Sequence, residues 1–333
     1  MLRVLVFPTL AREEILTRLA ALPGVDARSV QAHGNGPDEL NQATALVLPA
    51  PLWNASLAEQ VSRHAPQLRL VQLVSAGYEE LLLHGVPVTA AVANAGDCWA
   101  GPVAEHGLAL MLALARHVPQ LVQRTRERIW DRSVIEGMCG LQGASLLLLG
   151  YGNIGREVAS RADAFGMKVT ALTRNPERHP ATPLATVAPL SAVQTHAGNA
   201  DFILACLPAS AATRGLLNAS FFEGCKKGAI FINVGRGDVT DTKALVDALR
   251  TGRLGGAGLD VTDPEPLPPD HPLWETPNVL ISPHAAIGGQ HAALHSLADM
   301  VTENMRRLML SQQLRNRIFL HRQHRQSPTT EQT

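Results

Sequence analysis

Short apolar runs alternate with helical patterns along the first hundred residues. Residues 4–7 and 45–48 are continuous and apolar and 70–74 is apolar apart from Gln72, whereas 13–22 and 57–64 space their apolar positions as helices do. Runs this short and apolar suit strands covered on both faces, and strands that alternate with helices imply βαβ units on a parallel sheet. Right-handed crossovers then give a doubly wound layer, a small α/β lobe. A long apolar helix is expected at 103–116, entered through Gly101-Pro102, because proline is tolerated at a helix start. From Ser145 the alternation restarts, with strands expected at 146–149, 167–172, 202–207, 230–234 and 279–282 and helices at 154–165 and 242–250. Asp241 is a suitable N-cap for the second of these helices and Gly252 a suitable stop. A final helix at roughly 290–310 is long enough to return to the first lobe.

The pattern predicts an α/β protein of two doubly wound parallel-sheet domains, one Rossmann-like and one flavodoxin-like, with a cleft between them. A length of 333 residues agrees, since single cores stop growing at about 250–300 residues. The expected division is a discontinuous substrate-binding domain, 1–98 plus 287–320, and a dinucleotide-binding domain, 99–286. The tail 321–333 has no apolar periodicity and is expected to be disordered.

Composition narrows the function classes. Hydrophobic residues make up 46% and charged residues 17%, enough apolar material for two cores. Lys+Arg and Asp+Glu are both 29, so no net field holds a polyanion, and nucleic acid is not expected as a partner. Cys98, Cys139, Cys206 and Cys225 form no C-x-x-C pair and read as free buried thiols in a reducing compartment; no metal is expected. The apolar start stops at Pro8, too early for a signal peptide, and no run approaches the ~18 apolar residues of a membrane span. A cytoplasmic protein with no membrane partner is the expectation.

Gly150-Tyr151-Gly152-Asn153-Ile154-Gly155 follows one expected strand and opens a helix. In that setting the first glycine permits a tight turn, the second lets backbone approach a pyrophosphate, and the third allows close strand–helix packing, while the helix N-terminus offers free N–H groups. An NAD site usually places a carboxylate about 20 residues on, at the end of the next strand. Here that place reads Thr173-Arg174-Asn175, with Arg178 nearby. An arginine fork can pair with a 2′-phosphate that a carboxylate would repel, so NADPH is expected over NADH, with NADH still possible.

Three further segments carry polar groups at expected strand ends: 232–237 with Val234, Gly235 and Arg236, 259–266 with Asp260 and Glu265, and 281–286 with His284. Loops at the carboxyl ends of a doubly wound sheet face the ligand crevice. In this order, downstream of a dinucleotide loop, the arginine-glycine turn, the Asp-Val…Glu-Pro turn and the Pro-His-x-Ala segment resemble the D-isomer-specific 2-hydroxyacid dehydrogenases. Residues 71–78 look like that family's substrate-carboxylate loop, 103–106 like the start of its interdomain helix, and Leu207-Pro208…Thr213-Arg214 like its cofactor-side turn.

The resemblance implies reduction of a small 2-oxoacid to the D-2-hydroxyacid, or the reverse, with glyoxylate and hydroxypyruvate reductases the nearest analogy. His284 would carry the proton, Glu265 would orient its ring, and Arg236 would hold the substrate carboxylate and polarise the carbonyl. Cys206, Leu207, Pro208, Thr213, Val234, Gly235 and Asp260 would line the cofactor, Asp260 beside the nicotinamide carboxamide. Ser75, Ala76 and Gly77 would meet the substrate, and Trp53 would wall its pocket. Formate dehydrogenases carry glutamine where Glu265 stands, and the chain ends too soon for the regulatory extensions of phosphoglycerate dehydrogenases. Phosphite oxidation and a cofactor-sensing corepressor-like role remain as alternatives. The segment around Trp130 resembles the one with which family members embrace a second subunit, implying a homodimer.

Overall fold

The computed structural model describes residues 1–31, 37–178, 183–288 and 291–320, so the expected disorder of 321–333 lies outside the described residues. The chain divides into two compact units: Met1–Gly96 with Leu294–Thr333 (described to residue 320), and Asp97–Ala293. Among the described residues no helix is long and apolar enough to cross a membrane.

The first unit carries β1 (Leu2–Val6), β2 (Val25–Ser29), β3 (Ala45–Leu48), β4 (Leu70–Leu73) and β5 (Ala91–Ala93). The second carries β6 (Ser145–Leu149), β7 (Lys168–Thr173), β8 (Thr186–Pro189), β9 (Phe202–Ala205), β10 (Ala229–Asn233), β11 (Leu254–Leu259) and β12 (Val279–Ile281). The chain then returns to the first unit and ends its described part near β13 (Arg317–Ile318).

The first sheet runs β13-β5-β4-β3-β1-β2, all parallel except β13, which pairs antiparallel with β5. The order 2-1-3-4-5 is the flavodoxin-like form of the doubly wound sheet. Its central strands β3 and β4 are buried at every residue, as the continuous apolar run of β3 and the near-continuous one of β4, broken by Gln72, require. The edge strand β2, Val-Asp-Ala-Arg-Ser, has no apolar run, which is why its sequence does not announce a strand. Phe7, Leu46, Leu48, Trp53 and Val71 belong to one buried cluster.

Two buried amides fasten the returning helix His291–Met309 to this sheet. Asn304 Nδ2 donates to Gln72 Oε1 at 2.7 Å and its Oδ1 accepts the Arg315 N–H at 2.8 Å, while Gln72 Nε2 donates to the Leu73 carbonyl at 2.9 Å. Both side chains are wholly buried, a position tolerable only because these partners replace water.

The second sheet runs β12-β11-β10-β9-β6-β7-β8, all parallel, with the strand order reversing between β6 and β9. This is the Rossmann arrangement, and its ligand crevice lies at that reversal. Helix Ala100–Ala115 lies over β10 and β11. It begins before the expected 103, with Pro102 inside its first turn, where the missing N–H leaves no helical bond unmade. A Cβ at Gly258 would come within 2.9 Å of Ile232 Cδ1 and Leu110 Cβ, and those at Gly255 and Gly256 within 2.6 Å of the Gly228 carbonyl oxygen and 3.0 Å of the Asn278 one, so close neighbours explain the glycines of β11, Leu-Gly-Gly-Ala-Gly-Leu. Those glycines also hide the strand from a reading by β-propensity.

Asp241 caps helix Thr242–Arg250 by accepting the Ala244 N–H at 3.0 Å, and Gly252 follows with φ +68°. The cysteines are free; Cys98 and Cys225 are buried, Cys206 is partly so, and Cys139 is exposed, which corrects the expectation that every thiol is buried.

Candidate active site

The strand ends of the second unit stand in one row. Leu172, Leu149, Ala205, Asn233, Leu259 and Ile281 are Cα partners in sequence across β7, β6, β9, β10, β11 and β12. The row is extended by main-chain bonds from Gly150 N to Leu172 O and Cys206 N to Leu149 O, 2.9 Å each. Asp260 N to Asn233 O and Ser282 N to Leu259 O, also 2.9 Å, continue it. Parallel strands lie about 4.8 Å apart, so every loop holding a candidate residue of this unit leaves from one edge at regular steps.

The glycine loop fills the turn between β6 and helix Asn153–Ala164. Gly150 has φ +107°, which only glycine adopts readily, and a Cβ at Gly155 would strike the Gly150 carbonyl oxygen at 2.2 Å. Beside Gly152, by contrast, the space a Cβ would take is open within 4 Å. The backbone there can be approached by a phosphate at the N-terminus of a 12-residue helix, so these residues fit a dinucleotide. Tyr151 is buried, Asn153 exposed and Ile154 partly exposed. Cys206 Sγ donates to the Gly150 carbonyl at 3.2 Å, and burial pushes this thiol up to about 12, so it packs as a neutral group. Thr173 ends β7 half-buried, and Arg174 follows it exposed.

At the other end of the row, Arg236 follows β10 on a half-buried turn. Asn233 shapes that turn: its Oδ1 accepts the Gly235 N–H and its Nδ2 donates to the Arg236 carbonyl, 3.0 Å each. Glu265 sits in a turn pinned by Thr262 Oγ1, which donates to the Pro264 carbonyl at 2.9 Å, and by Thr242 Oγ1, which donates to the Asp263 carbonyl at 3.1 Å. His284 follows β12. Its Nδ1 lies 3.2 Å from Glu265 Oε1 and 3.3 Å from Oε2, with the two side chains 49% and 41% exposed, so the pair is open to a ligand. With Nδ1–H donating to the carboxylate, Nε2 is the ring atom left to exchange a proton.

Three expected site residues have other work. Trp53 is fully buried within the apolar cluster of the first unit and its Nε1 donates to the Gly85 carbonyl at 2.9 Å, so its contacts within that unit are those of a core residue. Thr213 is 1% exposed, and its hydroxyl donates to the Pro208 carbonyl at 2.7 Å, stapling the 208–213 turn rather than facing a ligand. Asp260, 2% exposed, accepts the Ser282 hydroxyl at 2.6 Å and the N–H groups of Ala285 and Ala286 at 2.9 and 3.2 Å. Most of its lone pairs are therefore committed within the protein, leaving room for at most about one further donor. His106 and Ser282, given no chemical task by the sequence, belong to the same network: His106 Nε2 lies 2.7 Å from Ser282 Oγ. The only signal for them was their presence in the Val-Ala-Glu-His and Ser-Pro-His segments.

In the first unit the loop Ser75-Ala76-Gly77 follows β4. Ser75 Oγ accepts the Ala50 N–H at 3.1 Å and donates to the Gly77 carbonyl at 3.0 Å, and Asn94 Nδ2 donates to the Ala76 carbonyl at 2.6 Å. These bonds fix the loop and use none of the Ala76 and Gly77 N–H groups.

Comparison with known proteins agrees with this arrangement. Residues 108–286 match the model of the D-isomer specific 2-hydroxyacid dehydrogenase NAD-binding domain. A glyoxylate/hydroxypyruvate reductase B of Citrobacter koseri is 30% identical over 287 residues, 85% of this chain and 86% of that protein. A D-isomer specific 2-hydroxyacid dehydrogenase family protein from Aeromonas salmonicida superposes with a TM-score of 0.84 at 30% identity, over 96% of this chain and all of that one. A D-isomer specific 2-hydroxyacid dehydrogenase from Xanthobacter autotrophicus, solved with NADPH and MES, superposes with a TM-score of 0.77 at 28% identity, over 95% and 98%.

Proposed function

This chain belongs to the D-isomer-specific 2-hydroxyacid dehydrogenases, oxidoreductases that act on a CH–OH group with a nicotinamide cofactor, and on that footing we propose that it reduces a small 2-oxoacid of the glyoxylate or hydroxypyruvate kind to the D-2-hydroxyacid with NADPH. The observation that carries the reading is the His284–Glu265 pair at 3.2 Å, on loops from the same sheet edge as the glycine loop. The bound nicotinamide supplies the hydride. His284 Nε2 gives its proton to the carbonyl oxygen, and Glu265 holds the other ring nitrogen. The planar fork of Arg236 grips the substrate carboxylate and polarises the carbonyl. Ala76 and Gly77 belong to the proposal as substrate-binding residues through their N–H groups, on a loop that Ser75 fixes. Asp260 offers its remaining lone pair to the carboxamide.

The end of β7 supports NADPH, because an arginine stands there and no carboxylate precedes it. A panel of 2-oxoacids of increasing size, assayed with both cofactors, tests substrate and cofactor together. Turnover of the smallest acids is expected, with a higher kcat/KM for NADPH, and Arg174→Asp should lower the NADPH-to-NADH ratio by about 10- to 100-fold, the worth of a lost charge-assisted pair. Cofactor binding without turnover of any member would favour the sensing role instead, and an unchanged ratio would remove Arg174 from the phosphate site.

A homodimer belongs to the same proposal. Trp130 is 97% exposed, and Val118, Leu121, Val122, Ile129 and Ile135 are exposed on the adjoining helix and turn, a run of uncovered apolar side chains of the kind that marks an association surface. Sedimentation should give twice the chain mass, and Trp130→Glu should shift the protein toward the monomer. A monomeric parent protein would end this part of the proposal.

A further inference from the structure

The turn that presents His284 is built on Asp260. The Asp260 carbonyl accepts the N–H of His284 itself at 2.8 Å, and the Asp260 carboxylate accepts the N–H groups of the next two residues, Ala285 and Ala286. His284 has φ +50°, a left-handed conformation uncommon for a residue with a side chain. Such a conformation turns successive N–H groups toward one point, the concavity in which backbone binds an anion, and it persists only where surrounding contacts enforce it. Here the anion is a side chain of the protein's own.

The carboxylate is in turn held from the helix above the sheet. Ser282 Oγ lies 2.6 Å from Asp260 Oδ1, a short bond in which the hydroxyl must be the donor, because the ionised carboxylate has no proton to give. With its one hydrogen committed, Ser282 can only accept from His106 Nε2 at 2.7 Å, which fixes the proton of His106 on Nε2. The same nitrogen stands 3.4 Å from Asp260 Oδ1. His106 is placed by helix Ala100–Ala115, whose next residue, Gly107, would bring a Cβ within 3.1 Å of Leu204 on β9 and 3.4 Å of Val234. The imidazole therefore sits on an element packed directly against the sheet.

We propose that His106, Ser282 and Asp260 form a hydrogen-bonded brace that fixes the turn of His284, making His106 and Ser282 positioning residues for the proton-carrying imidazole. The inference rests on the proposed role of His284 and deepens it. Removing the first donor lets Ser282 turn away from Asp260, the carboxylate loses one of its fixed partners, and the 284–286 turn loosens around it. The ring then samples directions from which Nε2 does not meet the substrate carbonyl, a loss of orientation that lowers kcat while leaving cofactor binding intact.

The test compares His106→Leu, which removes the donor, with His106→Gln, whose amide keeps one at nearly the same reach, both in the full chain. Steady-state kinetics, NADPH titration by fluorescence and the NMR signals of the His284 ring are measured together, that ring being identified by its disappearance in His284→Gln. His106→Leu should lower kcat by about 10- to 100-fold, move the His284 ring signals and leave the NADPH dissociation constant unchanged. His106→Gln should restore most of kcat and the ring signals. Equal kcat and ring signals in His106→Leu and the parent protein would overturn the brace, as would a glutamine variant no better than the leucine. If the parent protein reduces no 2-oxoacid but the ring signals still move in His106→Leu and return in His106→Gln, the brace stands and the proposed reaction falls.

Discussion

His284→Gln should lower kcat for 2-oxoacid reduction by about 10²- to 10⁴-fold, the range in which a positioned general acid contributes, while the NADPH dissociation constant stays where it was. Glutamine keeps a polar group of similar reach on the same turn but has no proton to deliver, so the loss isolates proton transfer from binding. The partner residue gives a second result. A carboxylate 3.2 Å from Nδ1 holds the ring whose Nε2 delivers the proton. Glu265→Ala removes that acceptor and should lower kcat by about 10- to 100-fold through lost orientation of the ring, whereas Glu265→Gln leaves an oxygen to accept the Nδ1–H and should retain more of the rate. Steady-state kinetics decide it: a kcat unmoved in Glu265→Ala would separate Glu265 from the ring, and an active His284→Gln would take the proton away from His284.

Much of this arrangement can be read from the sequence because it is local. The glycine motif and the strand before it are contiguous, and a Gly-x-Gly-x-x-Gly between an apolar run and a helix allows few other geometries. The fully buried strands are equally legible, since covering both faces forces unbroken apolar runs such as Ala45–Leu48. What fails to show is whatever depends on a distant partner. β11 is a strand by its pairing with β10 and β12, and its glycines fit close neighbours such as Leu110, Leu114 and Ile232 that lie far off in the chain, so nothing within Leu-Gly-Gly-Ala-Gly-Leu says so. Trp53 reads equally well as a pocket wall until the Gly85 carbonyl, 32 residues on, takes its N–H.

The site divides in the same way. His284, Glu265 and Arg236 stand out because charged groups beside prolines and glycines at strand ends form a recognisable order. The commitments of Asp260 and Thr213 do not, because an oxygen's hydrogen-bond partners decide whether it can serve a ligand. Those of Asp260 come from Ser282, Ala285 and Ala286, 22 to 26 residues away on the neighbouring strand's loop. Sequence order gives the residues of a site more readily than the assignment of their lone pairs.

The second large effect is expected at a residue with no chemistry. A Cβ at Gly237 would lie 1.9 Å from the Thr262 oxygen, 2.1 Å from its carbonyl carbon and 2.8 Å from the Asp263 nitrogen. These are backbone atoms, so no rotamer change relieves the clash and Gly237→Ala must push one chain away from the other. Gly237 follows Arg236 directly, and Thr262 begins the turn that ends at Glu265, so the displacement separates the guanidinium from the carboxylate that orients His284. A misplacement near 1 Å can cost about 10²-fold in rate, and kcat/KM should fall by at least that much. Overpacking of this kind costs about 1–3 kcal/mol, so the fold should survive with a lowered Tm. The NADPH dissociation constant should change little, because the glycine loop leaves from β6, two strands from β10. Gly140→Ala is the matched control, since nothing lies within 4 Å of the added atom and the backbone there is not left-handed. If Gly237→Ala retained the activity of that control, the close contact between the two turns would have no part in setting the distance from arginine to imidazole, and the geometry proposed for proton and carboxylate would have to be held by other contacts.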